Sequence, residues 1–247
     1  MKLYDNNYIN KKIKEYNQCI DIGKKGNFEI KKKANNSEYI DGYMYRKKGI
    51  INHTILELHG PNNIWMRISP LEIQSSYMFI KYAKGKVGVV GLGLGFVAQE
   101  LAKKPSVKEV IVYEVEKDVI DLYYSNFDEN KKIKIINKDA FKADSNYFDY
   151  FFVDIYEYKL EKRVVEDYVA LNRLHNIKEY LFWGMEHFLL SCKYNEIVWV
   201  YIPELWMEIS KKVFEELQEA NLLDYYKQLD EKLVSDILSK FKVVFDD

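Results

Sequence analysis

A glycine-rich turn carries the clearest chemical signal in this sequence. Residues 87–96 read VGVVGLGLGF, so a short apolar run ends in Gly91, Gly93 and Gly95. A glycine turn between a strand and a helix lets backbone N–H groups approach a ligand closely, and the helix N-terminus favours an anionic group. The apolar positions that follow recur at three- and four-residue spacing, which is typical of a helix. The sequence therefore predicts a nucleotide-type site on a strand, loop and helix.

The spacing of the glycines narrows the choice of nucleotide. The dinucleotide fingerprint is G-x-G-x-x-G, and its third glycine allows the helix to pack closely on the strand. Phe96 stands where that third glycine is expected, so the observed G-x-G-x-G pattern counts against NAD and FAD. A P-loop is excluded because no G-K-S or G-K-T triplet is present.

Three acidic residues each follow a further predicted strand. Glu114 comes 23 residues after Gly91, Asp139 follows the next apolar run, and Asp154 follows the one after that. The carboxyl ends of parallel strands share one sheet edge, and an acid there can accept hydrogen bonds from ribose hydroxyls. Each feature has a structural alternative: a mere tight turn for the glycines, a solvated strand end for Glu114 and a helix cap for Asp139. Their regular order favours a ligand site.

Together these motifs resemble the class I S-adenosylmethionine-dependent methyltransferases, and more closely their spermidine-synthase-like branch. The resemblance covers about residues 64–158 and includes Glu114 in YEVEKDVI, Asp139 in KDAF and Asp154 in FDYFFVDIYEY. It implies that the glycine loop holds the methionine part of the cofactor, Glu114 the ribose and Asp139 the adenine amine. The complete set of expected cofactor contacts is Gly91, Leu92, Gly93, Gly95, Glu114, Val115, Asp139, Ala140, Asp154, Gln74 and Tyr77.

The expected catalytic residues are Asp154, Tyr156 and Glu157, where an acceptor would approach. Asp154 and Glu157 keep the spacing of two acids that follow the fourth strand in aminopropyltransferases, with Glu in the second place. In those enzymes the sequence of the glycine loop is similar to G-G-G-D-G. Its Asp is associated with the propylamine of decarboxylated S-adenosylmethionine. This chain has Leu94 there, and Val89 replaces the usual methyltransferase acid two residues before the first glycine. A structural cap is the alternative role for Asp154.

Three functions therefore stay open. The first is a methyltransferase that uses S-adenosylmethionine on a small-molecule acceptor, with an amine as one candidate. The second is an aminopropyltransferase that uses decarboxylated S-adenosylmethionine. The third is a nucleoside-binding protein without catalysis, because no acceptor motif is recognisable.

The predicted elements that position this site belong to two regions of the chain, with the boundary at residue 69. Residues 1–69 are predicted to form an N-terminal helix and a small antiparallel β region. Residues 70–247 are predicted to form a Rossmann-like α/β domain, with a mostly parallel sheet flanked by helices and a helical C-terminal extension. A homodimer through the N-terminal sheet or the helical tail is a hypothesis.

Individual elements follow from local patterns. The N-terminal helix contains Ile9, Ile13 and Tyr16, and a loop is expected through residues 23–26. The Ser69-Pro70-Leu71-Glu72 run is typical of a helix start, and that helix should reach about Tyr82. It carries Gln74 and Tyr77, for which packing is the alternative to ligand contact. The other predicted strands are 39–46, 50–58, 64–68, 110–113, 133–136, 148–153 and 179–185, and the other helices are 159–174, 205–220 and 225–240.

Bulk properties exclude several partners. The formal net charge of −1 gives no argument for nucleic acid or a membrane surface, and no run of about 18 apolar residues predicts a membrane span. Cys19 and Cys192 lie far apart, and the N-terminus has no apolar signal segment, which favours a reduced, cytoplasmic protein. His175 and His187 lack metal-ligand spacing, so no metal is expected.

Overall fold

The computed structural model describes residues 3–34, 54–157, 160–226 and 228–247. Its strands are β1 (Gly23–Lys25), β2 (Phe28–Lys33), β3 (Ile55–His59), β4 (Ile64–Arg67), β5 (Gly85–Val90), β6 (Val107–Glu114), β7 (Ile133–Asn137), β8 (Tyr147–Val153) and β9 (Asn176–Phe182). Its helices are α1 (Asn6–Cys19), α2 (Pro70–Tyr82), α3 (Phe96–Ala102), α4 (Lys117–Tyr124), α5 (Arg163–Leu174), α6 (Met185–Ser191), α7 (Tyr194–Val198), α8 (Glu204–Glu219) and α9 (Glu231–Phe245). Short 3-10 helices span Ala140–Lys142 and Leu223–Tyr225.

Strands β5 to β9 form one parallel sheet in the order β7-β6-β5-β8-β9. Neighbouring residues Phe151 and Phe152 point to opposite faces and are both fully buried, so both faces of the sheet are covered. The chain runs outward from β5 to β7 and then returns to the other side of β5. A topological switch point therefore lies between β5 and β8, where open α/β sheets bind their ligands. The predicted Rossmann-like α/β class is confirmed.

A second sheet of four antiparallel strands, in the order β1-β2-β3-β4, precedes the parallel one. The predicted small antiparallel region is thus present, but the expected loop at residues 23–26 is wrong. Gly26 has a φ of +48° and turns a hairpin there, with Phe28 and Ile30 buried on alternate positions of β2. The surrounding lysines obscured that alternation in the sequence. The predicted strand 39–46 and residues 50–53 lie outside the described residues.

Helix α1 fixes the position of α3, the helix that follows the glycine loop. Ile9, Ile13 and Tyr16 are buried, which confirms the predicted helix. The Tyr16 hydroxyl donates a hydrogen bond to the buried Glu100 carboxylate on α3 at 2.9 Å. The ammonium of Lys12 lies 2.7 Å from the other oxygen of Glu100. A buried, paired charge therefore joins the N-terminal helix to the site.

Helix α2 leads the chain into the parallel sheet, and its predicted bounds are confirmed. Its cap residue Ser69 accepts a hydrogen bond from the Glu72 N–H, and Pro70 occupies the first turn. Phe79 stacks on Phe152 of β8 with the ring centroids 4.4 Å apart.

The C-terminal elements differ from prediction mainly in their bounds. Strand β9 ends before the predicted 179–185 segment does, because Gly184 has a φ of +79° and begins α6. Helices α6 and α7 were not predicted, and α9 begins at Glu231 rather than near residue 225. Helix α8 matches the prediction, and Trp206 packs edge-on against Phe241 of α9. Among the described helices, none combines the length and apolar character needed to cross a membrane.

Replacing Tyr16 with Phe should reduce the free energy of unfolding by about 1.5–3 kcal/mol, because it removes a buried hydrogen bond to a charged acceptor. Urea denaturation of wild type and Tyr16→Phe measures the change. Tyr201→Phe is the control, since Tyr201 is 79% exposed and its change should cost less than about 0.5 kcal/mol. Equal losses in the two variants would contradict the role of the Tyr16–Glu100 bond.

Candidate functional site

The loop between β5 and α3 is built on three glycines with positive φ values. Gly91, Gly93 and Gly95 have φ values of 97°, 52° and 79°, which L-residues with a side chain rarely adopt. A Cβ on Gly91 would lie 2.6 Å from the carbonyl oxygen of Asp154, and a Cβ on Gly95 would lie 2.6 Å from the Tyr123 ring. Backbone conformation and close packing therefore both require glycine in this loop.

Glu114 joins the glycine loop to the neighbouring strand. It is the last residue of β6 and is 9% exposed, so it is not a solvated strand end. The Leu92 N–H donates to Glu114 Oε2 at 3.0 Å, and the Glu116 N–H donates to Oε1 at 2.9 Å. Burial raises the pKa of the Glu114 carboxyl, and the backbone donors oppose that shift. The structure thus brings Glu114 against the glycine loop, and its contact with ribose stays a prediction.

Asp139 caps the 3-10 helix that follows β7. Its Oδ1 accepts a hydrogen bond from the Phe141 N–H at 3.0 Å, and its Oδ2 lies 3.3 Å from the Lys142 ammonium. The structural alternative proposed for Asp139 is therefore realised, and its adenine contact stays a prediction. Of the flanking residues expected at the cofactor, Ala140 is buried and Val115 is exposed.

Asn137 was not foreseen as a site residue. Its side-chain amide donates to the backbone carbonyls of Glu114 and Val115, at 2.9 Å each. It thereby fixes the ends of β6 and β7 relative to each other. The only sequence signal for it is an amide side chain at the end of an apolar run.

Asp154 follows β8 directly, beside the glycine loop. The Asp154 N–H donates to the Val90 carbonyl at 3.1 Å, and the Asp154 carbonyl oxygen packs against Gly91. Burial raises the pKa of the Asp154 carboxyl to about 7. This acid therefore changes its protonation state near neutral pH, which distinguishes it from an ordinary surface aspartate.

The two other predicted catalytic residues, Tyr156 and Glu157, differ from Asp154 in their surroundings. The Tyr156 hydroxyl donates to Asp167 Oδ2 of α5 at 3.0 Å, and the Arg163 guanidinium lies 5.1 Å from the centre of its ring. Burial, reinforced by the negative charge of Asp167, raises the pKa of the Tyr156 hydroxyl. Glu157 is exposed. Tyr156 is thus held against α5, and the catalytic roles of both residues stay predictions.

Gln74 and Tyr77, the candidates on α2, are both buried. The Tyr77 ring packs edge-on against Tyr8 of α1, with the centroids 5.7 Å apart. This contact realises the packing alternative for Tyr77. Ligand contact by either residue stays a prediction.

A fourth acid lies past the end of β9. The Trp183 N–H donates to the Val153 carbonyl at 2.9 Å, which extends the pairing of β8 and β9, and Gly184 then turns the chain into α6. Glu186 follows in the first turn of α6 and is buried. The signal was the same as that of the other acids, since Glu186 directly follows the predicted strand 179–185, but it was not among the predicted site residues.

No group of three or more histidine, cysteine or acidic side chains in the described part of the chain is placed to hold a metal ion. His175 is a core residue: its ring stacks on Tyr113 with the centroids 5.7 Å apart, and the tilted ring of Phe151 lies 5.6 Å away. Burial lowers the pKa of the His175 imidazole. Cys19 and Cys192 are free thiols.

The chain is similar in structure to several solved transferases, while no family model and no curated protein sequence matches it. Spermidine synthase from Thermotoga maritima is 16% identical, with a TM-score of 0.39 over 63% of this chain and 52% of that one. A spermidine synthase in complex with the transition-state analogue AdoDATO is 18% identical, with a TM-score of 0.40 and the same two coverages. Ribosomal protein L11 methylase from Lactobacillus delbrueckii subsp. bulgaricus is 16% identical, with a TM-score of 0.36 over 58% of this chain and 66% of that one. The match thus spans about half the length of the spermidine synthases.

The Asp154 carboxyl should make stability fall as pH rises from about 4 to about 7. In that window the unfolded carboxyl, with a pKa of about 3.9, releases its proton while the folded one retains it. Asp154→Asn should therefore be more stable than wild type by about 1–3 kcal/mol at pH 7, and the difference should vanish near pH 4.

Urea denaturation at several pH values tests this expectation. Asp149→Asn is the matched control, because hydrogen bonds from the Tyr147 hydroxyl and the Lys86 N–H lower the pKa of Asp149. That variant should lose stability at pH 7, and the loss should disappear as the pH falls. An Asp154→Asn protein that is less stable than wild type at pH 7 would contradict the raised pKa.

Proposed function

We propose that this chain is an S-adenosylmethionine-dependent methyltransferase that acts on a small molecule. One observation carries the proposal: the hydrogen bond between the Leu92 N–H of the glycine loop and the Glu114 carboxylate. It brings a close-approach loop and a ribose-binding type of acid together at the switch point of a parallel sheet. Asp139 and Asp154 end the strands on either side, as the sequence resemblance requires.

The Glu114 carboxylate retains capacity for a ligand. Each of its oxygens accepts one backbone N–H, and a carboxylate has about four acceptor sites in all. Two neighbouring ribose hydroxyls could therefore donate to it while the backbone bonds persist. The cofactor would supply a methyl group on a sulfonium, and Glu114 would hold its sugar.

For methyl transfer, the main requirement on the protein is to orient an acceptor in line with the methyl group. Where the acceptor is an amine or hydroxyl, a proton must also leave, and a base with a pKa near the working pH serves best. Asp154 has a pKa of about 7 and lies next to the loop. We assign to Asp154 the acceptance of that proton, and an amine is the acceptor class that fits best.

Aminopropyl transfer is the second candidate, supported by the Asp154 and Glu157 spacing and by the N-terminal antiparallel sheet. Against it stands the side chain at position 94. Leu94 is buried in a small apolar space shared with Ile20, Leu58 and Leu122. The loop thus offers no carboxylate to a propylamine. A nucleoside-binding protein without catalysis is the third candidate, and it differs from the others in predicting binding without turnover.

Calorimetric titration with four ligands tests the proposal. We expect S-adenosylmethionine and S-adenosylhomocysteine, which carry a carboxylate, to bind more tightly than decarboxylated S-adenosylmethionine and methylthioadenosine. The reverse order would favour the aminopropyltransferase. Binding of none of the four would refute the cofactor assignment.

Replacing Glu114 with Gln should weaken binding of S-adenosylhomocysteine by about 1.5–3 kcal/mol, because charge-assisted hydrogen bonds to the ribose are lost. The matched control is Glu109→Gln, since Glu109 lies on the same strand but near its opposite end. Titration calorimetry of both variants against wild type measures the effect. Affinity that is unchanged in Glu114→Gln would refute the ribose assignment.

A further inference from the structure

A side chain from the antiparallel sheet reaches the glycine loop. Met66 lies on β4, opposite Leu58 of β3, and is 9% exposed. Its Sδ accepts a hydrogen bond from the Leu94 N–H, with 2.9 Å between nitrogen and sulfur. A Cβ on Gly93 would lie only 2.3 Å from the same sulfur. The thioether therefore lies directly on the backbone of Gly93 and Leu94.

The Leu94 N–H is a donor that a ligand could use better than Met66 does. A thioether sulfur is a weak acceptor, whereas a hydrogen bond from N–H to a carboxylate oxygen is charge-assisted and stronger. Three other loop donors have stronger acceptors: the Gly91 N–H donates to the Tyr113 carbonyl, the Leu92 N–H to Glu114 and the Gly95 N–H to the Leu92 carbonyl. Among these four engaged donors, the Leu94 N–H is held by the weakest acceptor.

Resting on the proposed function, we propose that Met66 competes with the amino-acid end of the cofactor for the Leu94 N–H. A carboxylate oxygen and the thioether cannot occupy the same position at Gly93, so the ligand must displace the side chain. Methionine is unbranched and has three rotatable side-chain bonds, which makes such a displacement feasible within a packed site. Met66 is therefore a specificity-determining residue that lowers the affinity of carboxylate-bearing ligands.

The nucleoside part of the ligand provides an internal control. Methylthioadenosine lacks the amino-acid end and does not need the space that Met66 fills. Met66→Ala should therefore bind S-adenosylhomocysteine about 3- to 10-fold more tightly than wild type, the scale of one hydrogen bond, with its affinity for methylthioadenosine unchanged. Met66→Leu keeps most of the volume but removes the acceptor, so it should give a smaller gain.

Titration calorimetry of wild type, Met66→Ala, Met66→Leu and Met78→Leu measures these affinities. Met78 is a buried methionine on α2 without a contact to the loop N–H, so Met78→Leu should match wild type for both ligands. Circular dichroism confirms that each variant is folded, and Met66→Leu serves as the test if Met66→Ala fails to fold.

The outcomes separate the two proposals. Weaker binding of S-adenosylhomocysteine in the Met66 variants would make Met66 a ligand contact and overturn the competition. An equal gain for both ligands would overturn the placement of the amino-acid end, and unchanged affinities would overturn the inference while the proposed function stands. If wild type and variants bind neither ligand, the proposed function fails and the inference falls with it.

Discussion

The rest of the site depends on the hydrogen bond from the Leu92 N–H to the Glu114 carboxylate. Glu114 is buried, and a buried carboxylate is stable only when donors compensate for the lost water. Leu92 supplies one donor and Glu116 the other. The bond also fixes the loop after β5 to the end of the adjacent strand, where Val90 is aligned with Tyr113. The positive φ angles of the glycines and the position of the acid are therefore consequences of one local arrangement.

Three separate parts of the chain close around this loop. The Asp154 carbonyl oxygen packs against Gly91, the Met66 thioether packs against Gly93 and the Tyr123 ring packs against Gly95. The antiparallel sheet is thus part of the site, since it contributes Met66. Helix α1 supports the loop indirectly, because the hydrogen bond from Tyr16 to Glu100 holds α3, the helix that follows the loop. Substitutions at Met66 or Tyr16 would consequently alter the affinity of the loop for a ligand.

Most of the parallel sheet could be predicted, because its strands contain short apolar runs and three of them, β5, β6 and β8, lead into a glycine or an acid. The hairpin of β1 and β2 could not, because Phe28 and Ile30 are the only buried apolar residues of a short strand that otherwise consists of Glu29 and three lysines. The positions of Glu114 and Asp154 at the sheet edge could be predicted, because Glu114 ends one strand and Asp154 directly follows another, while their contacts with a ligand stay predictions. Met66 was not, since its contact with Leu94 joins residues 28 apart that local patterns do not connect.

The three predicted acids at the carboxyl edge differ in environment, and this divides their chemistry. Asp139 is engaged by the Phe141 N–H and the Lys142 ammonium, so its charge is already compensated. Burial raises the pKa of the Glu114 carboxyl, and hydrogen bonds from two backbone N–H groups oppose that shift. Burial raises the pKa of the Asp154 carboxyl to about 7. Under the proposed function, acids in such different environments take different parts in the reaction. Glu114 is suited to accept hydrogen bonds from the ligand, and Asp154 is suited to exchange a proton with the acceptor.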